Sequence, residues 1–238
     1  MNEFWNGLKH SSAFCFTFDE QGKPVDVEKT DYILYQGTIF PFDIFGDELW
    51  SLNDYCYGIV KLLEQEEEKC LERRKRIESG AYANTYGFTD YEWFSSIASE
   101  EYKREWIADV MIPHLIILLY SFLEKTMNHI YKLFEEEGRI SFKPKGKIPY
   151  LYRYLCSISG KSVEEFHEEY SDLYDILDQF RIIRNNFAHD NLEGVAMEGK
   201  RDYAYETRKL SLTFRLIDFI SVITLLIYET EKIYKRGN

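Results

Sequence analysis

An arginine and a histidine five residues apart, Arg184 and His189, are the strongest candidates for chemistry in this chain of 238 residues. They stand in the run Arg181-Ile182-Ile183-Arg184-Asn185-Asn186-Phe187-Ala188-His189-Asp190, where a stretch with the apolar spacing of an amphipathic helix comes to its end. A histidine at a helix C-terminus sits beside the negative pole of the peptide dipoles, which favours the imidazolium and suits proton transfer near neutral pH. A neighbouring guanidinium supplies a fixed cation and a planar fork of donors matched to a phosphate. On a helix of 3.6 residues per turn, positions five apart lie roughly 140° from one another. For both to face one ligand the chain must loosen at its last turn, and Asp190-Asn191 is where that is expected.

The other histidines carry less. His114 falls in an apolar stripe and reads as a hydrogen-bonded core residue rather than a ligand, and Glu164 with His167 makes one E-x-x-H pair where a di-iron bundle needs two. The sequence holds no H-E-x-x-H, P-loop, G-x-S-x-G or G-x-G-x-x-G, so neither metal nor cofactor is expected. Cys15, Cys56, Cys70 and Cys156 are widely spaced and read as reduced structural thiols.

Composition bounds the partners. Lysine plus arginine is 29 against 41 for aspartate plus glutamate, a formal charge of −12, which excludes a generally basic coat for nucleic acid. Any such role must rest on a local patch. Hydrophobic residues at 45% exclude disorder over the whole length, and the 17% of aromatics exceeds what a core alone asks for. The most apolar run, 110–123, contains Pro113 and His114 and is too short to span a bilayer. No secretory signal is read at the start, so a soluble, cytoplasmic protein with no membrane partner is expected.

The elements that must position Arg184 and His189 are helical. From Asp47, Leu49, Leu52, Tyr55, Cys56, Ile59, Leu62 and Leu63 recur at three- and four-residue intervals, predicting a first long helix that ends in the charged run to Ile77. In that run Arg73, Arg74, Lys75 and Arg76 either pair within a solvated helix end or touch phosphate. A second long helix is predicted over 99–137, kinked or split by Pro113 and stopped at Gly138. On it Glu124 and Asn128 either orient the Arg184–His189 segment from across the bundle or are surface polar positions. A loop with Lys143, Lys145 and Lys147 leads to a short helix over 150–157, a fourth helix starts at the capping box Ser162-Val163-Glu164-Glu165, and a last one covers 206–235. Long helices with short connections mean an antiparallel bundle, over residues 46–238. Residues 1–45 form a separate extension, with strands expected at 13–18 and 32–40, a turn at Gln21-Gly22-Lys23-Pro24 between them and the junction at Pro41-Phe42.

The segment Arg184-Asn185-Asn186-Phe187-Ala188-His189 resembles the Arg-x-x-x-x-His signature of the HEPN superfamily, helical-bundle proteins many of which are metal-independent ribonucleases in prokaryotic defence and toxin–antitoxin systems. Arg184 matches the motif arginine, Asn185 the polar residue that often follows it, and His189 the motif histidine. The apolar helix over 115–134 also looks like the family's earlier core helix, so the resemblance covers about 47–234. Some members carry a modifiable tyrosine two residues after the histidine; here that position is Asn191.

The resemblance implies an all-α, HEPN-like bundle with a small N-terminal β-containing extension. It implies a homodimer whose two motifs meet in one groove, RNA as the substrate, and an antitoxin or a nucleotidyltransferase as the kind of partner that controls it. Catalysis then falls to Arg184, His189 and Asn185. Arg181, Lys200, Arg201 and Arg208, with Lys209, are candidate RNA contacts, each equally readable as a solvated cation. Two rival readings stand beside this one. The acidic balance and aromatic excess suit a non-catalytic RNA- or nucleotide-binding or dimerising module, and Arg184 and His189 also suit a plain helix end.

Overall fold

The computed structural model describes residues 14–18, 24–29, 37–79, 90–106, 111–189 and 205–236. Two strands, β1 (Phe14–Phe18) and β2 (Pro24–Lys29), pair antiparallel with Phe16 opposite Val27. Pro24, which has no N–H to give the ladder, opens β2, and the register slips beside it at Thr17/Phe18. The second strand therefore lies earlier than expected: of 32–40, Gly37–Phe40 is bend and turn, and 32–36 falls outside the described residues.

Seven helices follow among the described residues: α1 (Phe42–Glu78), α2 (Asp90–Trp106), α3 (Ile112–Glu136), α4 (Tyr150–Ser159), α5 (Val163–Glu169), α6 (Ser171–His189) and α7 (Tyr205–Arg236). The described part is an all-α bundle beyond β2. None of its helices is long and apolar enough to cross a membrane.

The first helix begins at Phe42 rather than Asp47, because Phe42 and Phe45 are both buried in the main core and extend the apolar stripe by one turn. A boundary after residue 45 would cut that turn. The stripe itself is narrower than the spacing suggested. Leu49, Cys56 and Leu63 are buried, whereas Tyr55 and Leu62, one position off the seven-residue step, are 52% and 51% exposed.

Over the second predicted helix the structure describes α2 to Trp106 and α3 from Ile112, with Pro113 in the first turn of α3, where a missing N–H costs nothing. The positions Ile107 and Val110 lie outside the described residues. As expected, α3 halts at Gly138, which takes φ +69. There Arg139 N donates to Phe134 O and Gly138 N to Glu135 O, closing the helix in a Schellman-type turn.

The fourth predicted helix is two. The capping box at Ser162 and Glu165 forms in full, but the helix it starts ends after Glu169. Tyr170 leaves the helical region at φ −127, ψ 43, and Ser171-Asp172 opens α6. Serine and aspartate compete with helical backbone bonds and favour helix starts, which places the break there.

Helix α3 is the hub. It packs on α1, α4, α6 and α7, and buried residues run along most of its circumference, among them Ile116, Leu119, Leu123, Met127 and Ile130. Phe219 of α7 stacks on Phe180 of α6 with ring centroids 3.9 Å apart and leans on Tyr120 of α3, fixing the three helices to one another. Among the described residues, Cys56, Cys70 and Cys156 are free and buried, and burial raises the Cys56 and Cys156 thiols to about 12 and about 11. They are inert packing groups.

Candidate functional site

The end of α6 lies against the middle of α3, and the residues that face each other there are polar. Position 184 follows Leu177, Phe180 and Ile183 on α6, whose buried side chains hold the helix against the core, so Arg184 emerges at the rim of that contact. Its Nη1 donates to Asn185 Oδ1 at 2.9 Å, and its Nη2 stands 3.8 Å from Glu124 Oε2 on α3. The two side chains of the ion pair are 38% and 30% exposed, partly sheltered but within reach of a ligand from solvent.

One turn earlier on α6, Arg181 Nε donates to Asp178 Oδ1 at 2.7 Å, and this bond raises the guanidinium further above its ordinary range. Burial lifts the Glu124 carboxyl above the ordinary carboxylate range, with Arg184 pulling the other way. Tyr120, one turn before Glu124, is buried, and its phenol is pushed up by burial and by the Glu124 charge. Each cation here is thus matched to a carboxylate. Arg184 keeps donors free, because 3.8 Å to Glu124 is an ion-pair separation and not a hydrogen bond.

Helix α6 stays helical through His189. Asp190-Asn191, where the loosening is expected, lie outside the described residues, and within the helix positions 184 and 189 sit roughly 140° apart about the axis. The His189 side chain lies outside the described part of the structure, as do Asp190, Asn191, Lys200 and Arg201; Arg208 and Lys209 lie in α7 with their side chains outside it.

The structure brings together Arg184, Asn185 and, one turn back, Arg181. It adds Glu124, one of the two α3 positions that the sequence offered either for orienting the motif across the bundle or as surface polar residues. The available signal was a single acid between Leu123 and Lys125 on the most apolar helix of the chain, where a carboxylate beside a packing surface calls for a cation.

Among the described residues, His114, His129 and His167 stay outside this site, and His10 lies outside the described residues. His167 Nε2 lies 3.8 Å from Asp175 Oδ1 with its ring edge-on to Tyr174, half-exposed, and His129 stacks on Phe45. His114 is exposed rather than in the core, since the α3 stripe turns its other side inward. Among the described residues, no group of three histidines, cysteines or acids could hold a metal ion.

No family model, curated protein or solved structure matches the chain.

Proposed function

We propose that the protein is a metal-independent endoribonuclease of the HEPN type, acting in a prokaryotic defence or toxin setting from a groove shared by two copies of an HEPN-like bundle. The observation that supports it is the Arg184 guanidinium, oriented by Asn185 and Glu124 at the end of α6, on the helix whose last residue is His189. Two positions 140° apart on one helix cannot both address one phosphate from one copy. Two helix ends meeting about a twofold axis can, with Arg184 of one copy serving beside His189 of the other.

In such a groove one imidazole removes the ribose 2′-hydroxyl proton, and the 2′-oxygen attacks phosphorus. The P–O5′ bond breaks, and an imidazolium returns a proton to the leaving 5′-oxygen. The products are a 2′,3′-cyclic phosphate and a 5′-hydroxyl. Arg184 offsets the charge that grows on the phosphorane-like transition state, and Asn185 fixes the guanidinium plane.

The test is cleavage of single-stranded RNA by purified protein in EDTA. His189→Ala and Arg184→Ala should each abolish cutting without changing the far-UV circular dichroism. A second reading is favoured by the unbroken helix at His189: a bundle that binds RNA and does not cut it. Retained binding with no product under any condition would select that reading.

A further inference from the structure

In a chain of net charge −12, the stretch between α3 and α5 has the opposite balance. From Gly138 to Val163 there are six basic residues, Arg139, Lys143, Lys145, Lys147, Arg153 and Lys161, and no acid. Two of these are spent on structure. Arg139 lies over the rings of Phe134 and Tyr234 and donates to Ile233 O, and Lys161 pairs with Glu169. The other four lie in, or one turn beyond, the open connection between α3 and α4, where Lys143, Lys145 and Lys147 are exposed. Lys143 pairs with Glu135 at the edge of α3, whereas Lys145 and Lys147 meet no carboxylate among the described residues.

Beside these cations lies a row of tyrosines. Tyr150 and Tyr154, one turn apart on α4, stack with centroids 6.4 Å apart, and Tyr154 meets Tyr131 of α3 at 5.3 Å. Tyr150 is 65% exposed, so its ring is not there to fill the core. Arg153 lies over the Tyr150 ring with Cζ 5.5 Å from its centroid, its Nη2 donating to Gly146 O and its Nε buried without a partner. Lys143 stands 6.0 Å from the Tyr131 centroid. At the inner end, Tyr131 lies two turns after Glu124 on the same side of α3, and Glu124 is the carboxylate that faces Arg184.

An exposed ring at Tyr150, continued inward by the half-buried rings of Tyr154 and Tyr131 and flanked by cations able to take phosphates, is what an unpaired nucleic-acid strand requires: a base stacks on the open ring and the backbone follows the charge. A duplex hides its base faces and cannot use the rings. An acidic peptide would use the lysines but has no planar group for Tyr150.

We propose that Tyr150, Tyr154 and Tyr131, with Lys145, Lys147 and Arg153, form a binding site for single-stranded nucleic acid that leads toward Arg184. This deepens the ribonuclease reading, and rests on it for the direction of the strand, but binding is measured apart from cleavage. Fluorescence anisotropy of a labelled 12-nucleotide RNA of mixed sequence, in EDTA, is followed on full-length protein carrying His189→Ala. Tyr150→Ala should weaken binding about 5- to 100-fold, the range one stacked base supplies, while Tyr150→Phe should bind as the parent does. Lys145→Ala with Lys147→Ala should lower the slope of log Kd against log salt by about 0.7 for each lysine that holds a phosphate.

DNA of the same sequence, binding as well or less well with the same dependence on Tyr150, supports the site and reports whether the 2′-hydroxyl is sensed. Unchanged affinity in Tyr150→Ala, equal affinity for the duplex, or full competition by polyglutamate that itself depends on Tyr150, overturns it. Cleavage by the parent protein that ignores Tyr150 sinks this site and spares the nuclease. Strand binding through Tyr150 with no cleavage by the parent does the reverse.

Discussion

Glu124 and Arg184 stand on different helices, 60 residues apart in sequence, with Oε2 and Nη2 at 3.8 Å. The pair is loose, yet it fixes what the carboxylate feels. Burial holds the Glu124 carboxyl above the ordinary range and Arg184 only partly offsets this, so the folded protein binds that proton more tightly than the unfolded chain does. The stabilising contribution is complete below the ordinary glutamate pKa, about 4.3, and is lost as pH rises through the higher folded value.

Glu124→Gln removes that titration. The variant should gain on the parent between pH 4 and pH 7, by less than about 1 kcal/mol for a pair this exposed. Urea midpoints at the two pH values measure it. A gain at pH 4 that vanishes at pH 7 would reverse the sign of the burial argument.

Glu231 offers a larger effect. It is 2% exposed and accepts from both the backbone N–H and the hydroxyl of Thr38, at 3.0 and 2.8 Å, with Lys235 Nζ 3.0 Å away. Glu231→Ala leaves the two Thr38 donors without their acceptor and Lys235, which still donates to the Thr38 hydroxyl, without its counter-ion, and should cost about 2–4 kcal/mol. Glu231→Gln keeps an acceptor and should cost less, by urea unfolding followed at 222 nm.

Two glycines make opposite predictions. A Cβ on Gly37 would lie 2.1 Å from Asp43 N and from Phe42 C, backbone atoms that cannot move aside, so Gly37→Ala should lower the unfolding midpoint by more than any surface change. Gly58 sits inside α1 with nothing within 4 Å of such an atom. Gly58→Ala should therefore stabilise by about 0.5–1 kcal/mol, from backbone entropy alone.

The Phe180–Phe219 stack sets the angle between α6 and α7, and Phe219 is fully buried. Phe219→Ala should cost about 3–5 kcal/mol through the cavity it leaves. If Arg184 depends on that packing for its place, the variant should also weaken RNA cleavage at temperatures where it is still folded, as a lowered kcat.

Periodicity carried most of the helical body. The interval of three and four located α1, α3 and α7, Pro113 stands in the first turn of α3, and Gly138 stops that helix where the chain chemistry says it must. What it could not resolve was which of two adjacent apolar rows faces inward: Leu49, Cys56 and Leu63 on α1 are buried and Tyr55 and Leu62 are not, a choice made by the partner helix. The break at Tyr170 was hidden because the residues on either side, Phe166 and Leu173, keep the helical interval across it. At the candidate site, Arg184 stood out by type and spacing, Asn185 through the resemblance, and Glu124 beside Asn128 as a position able to reach across the bundle, whereas the choice between those two needed the α3–α6 contact, which no local pattern encodes.

The hydrogen bonds from Thr38 to Glu231 have a topological meaning. They clip the segment entering α1 to the next-to-last turn of α7, so the bundle starts and finishes at one point. A few residues of linker joining position 236 to position 37 would close the bundle into a ring. New ends opened at Lys145-Gly146, on the exposed connection after α3, would then give a circular permutant whose helices all keep their neighbours.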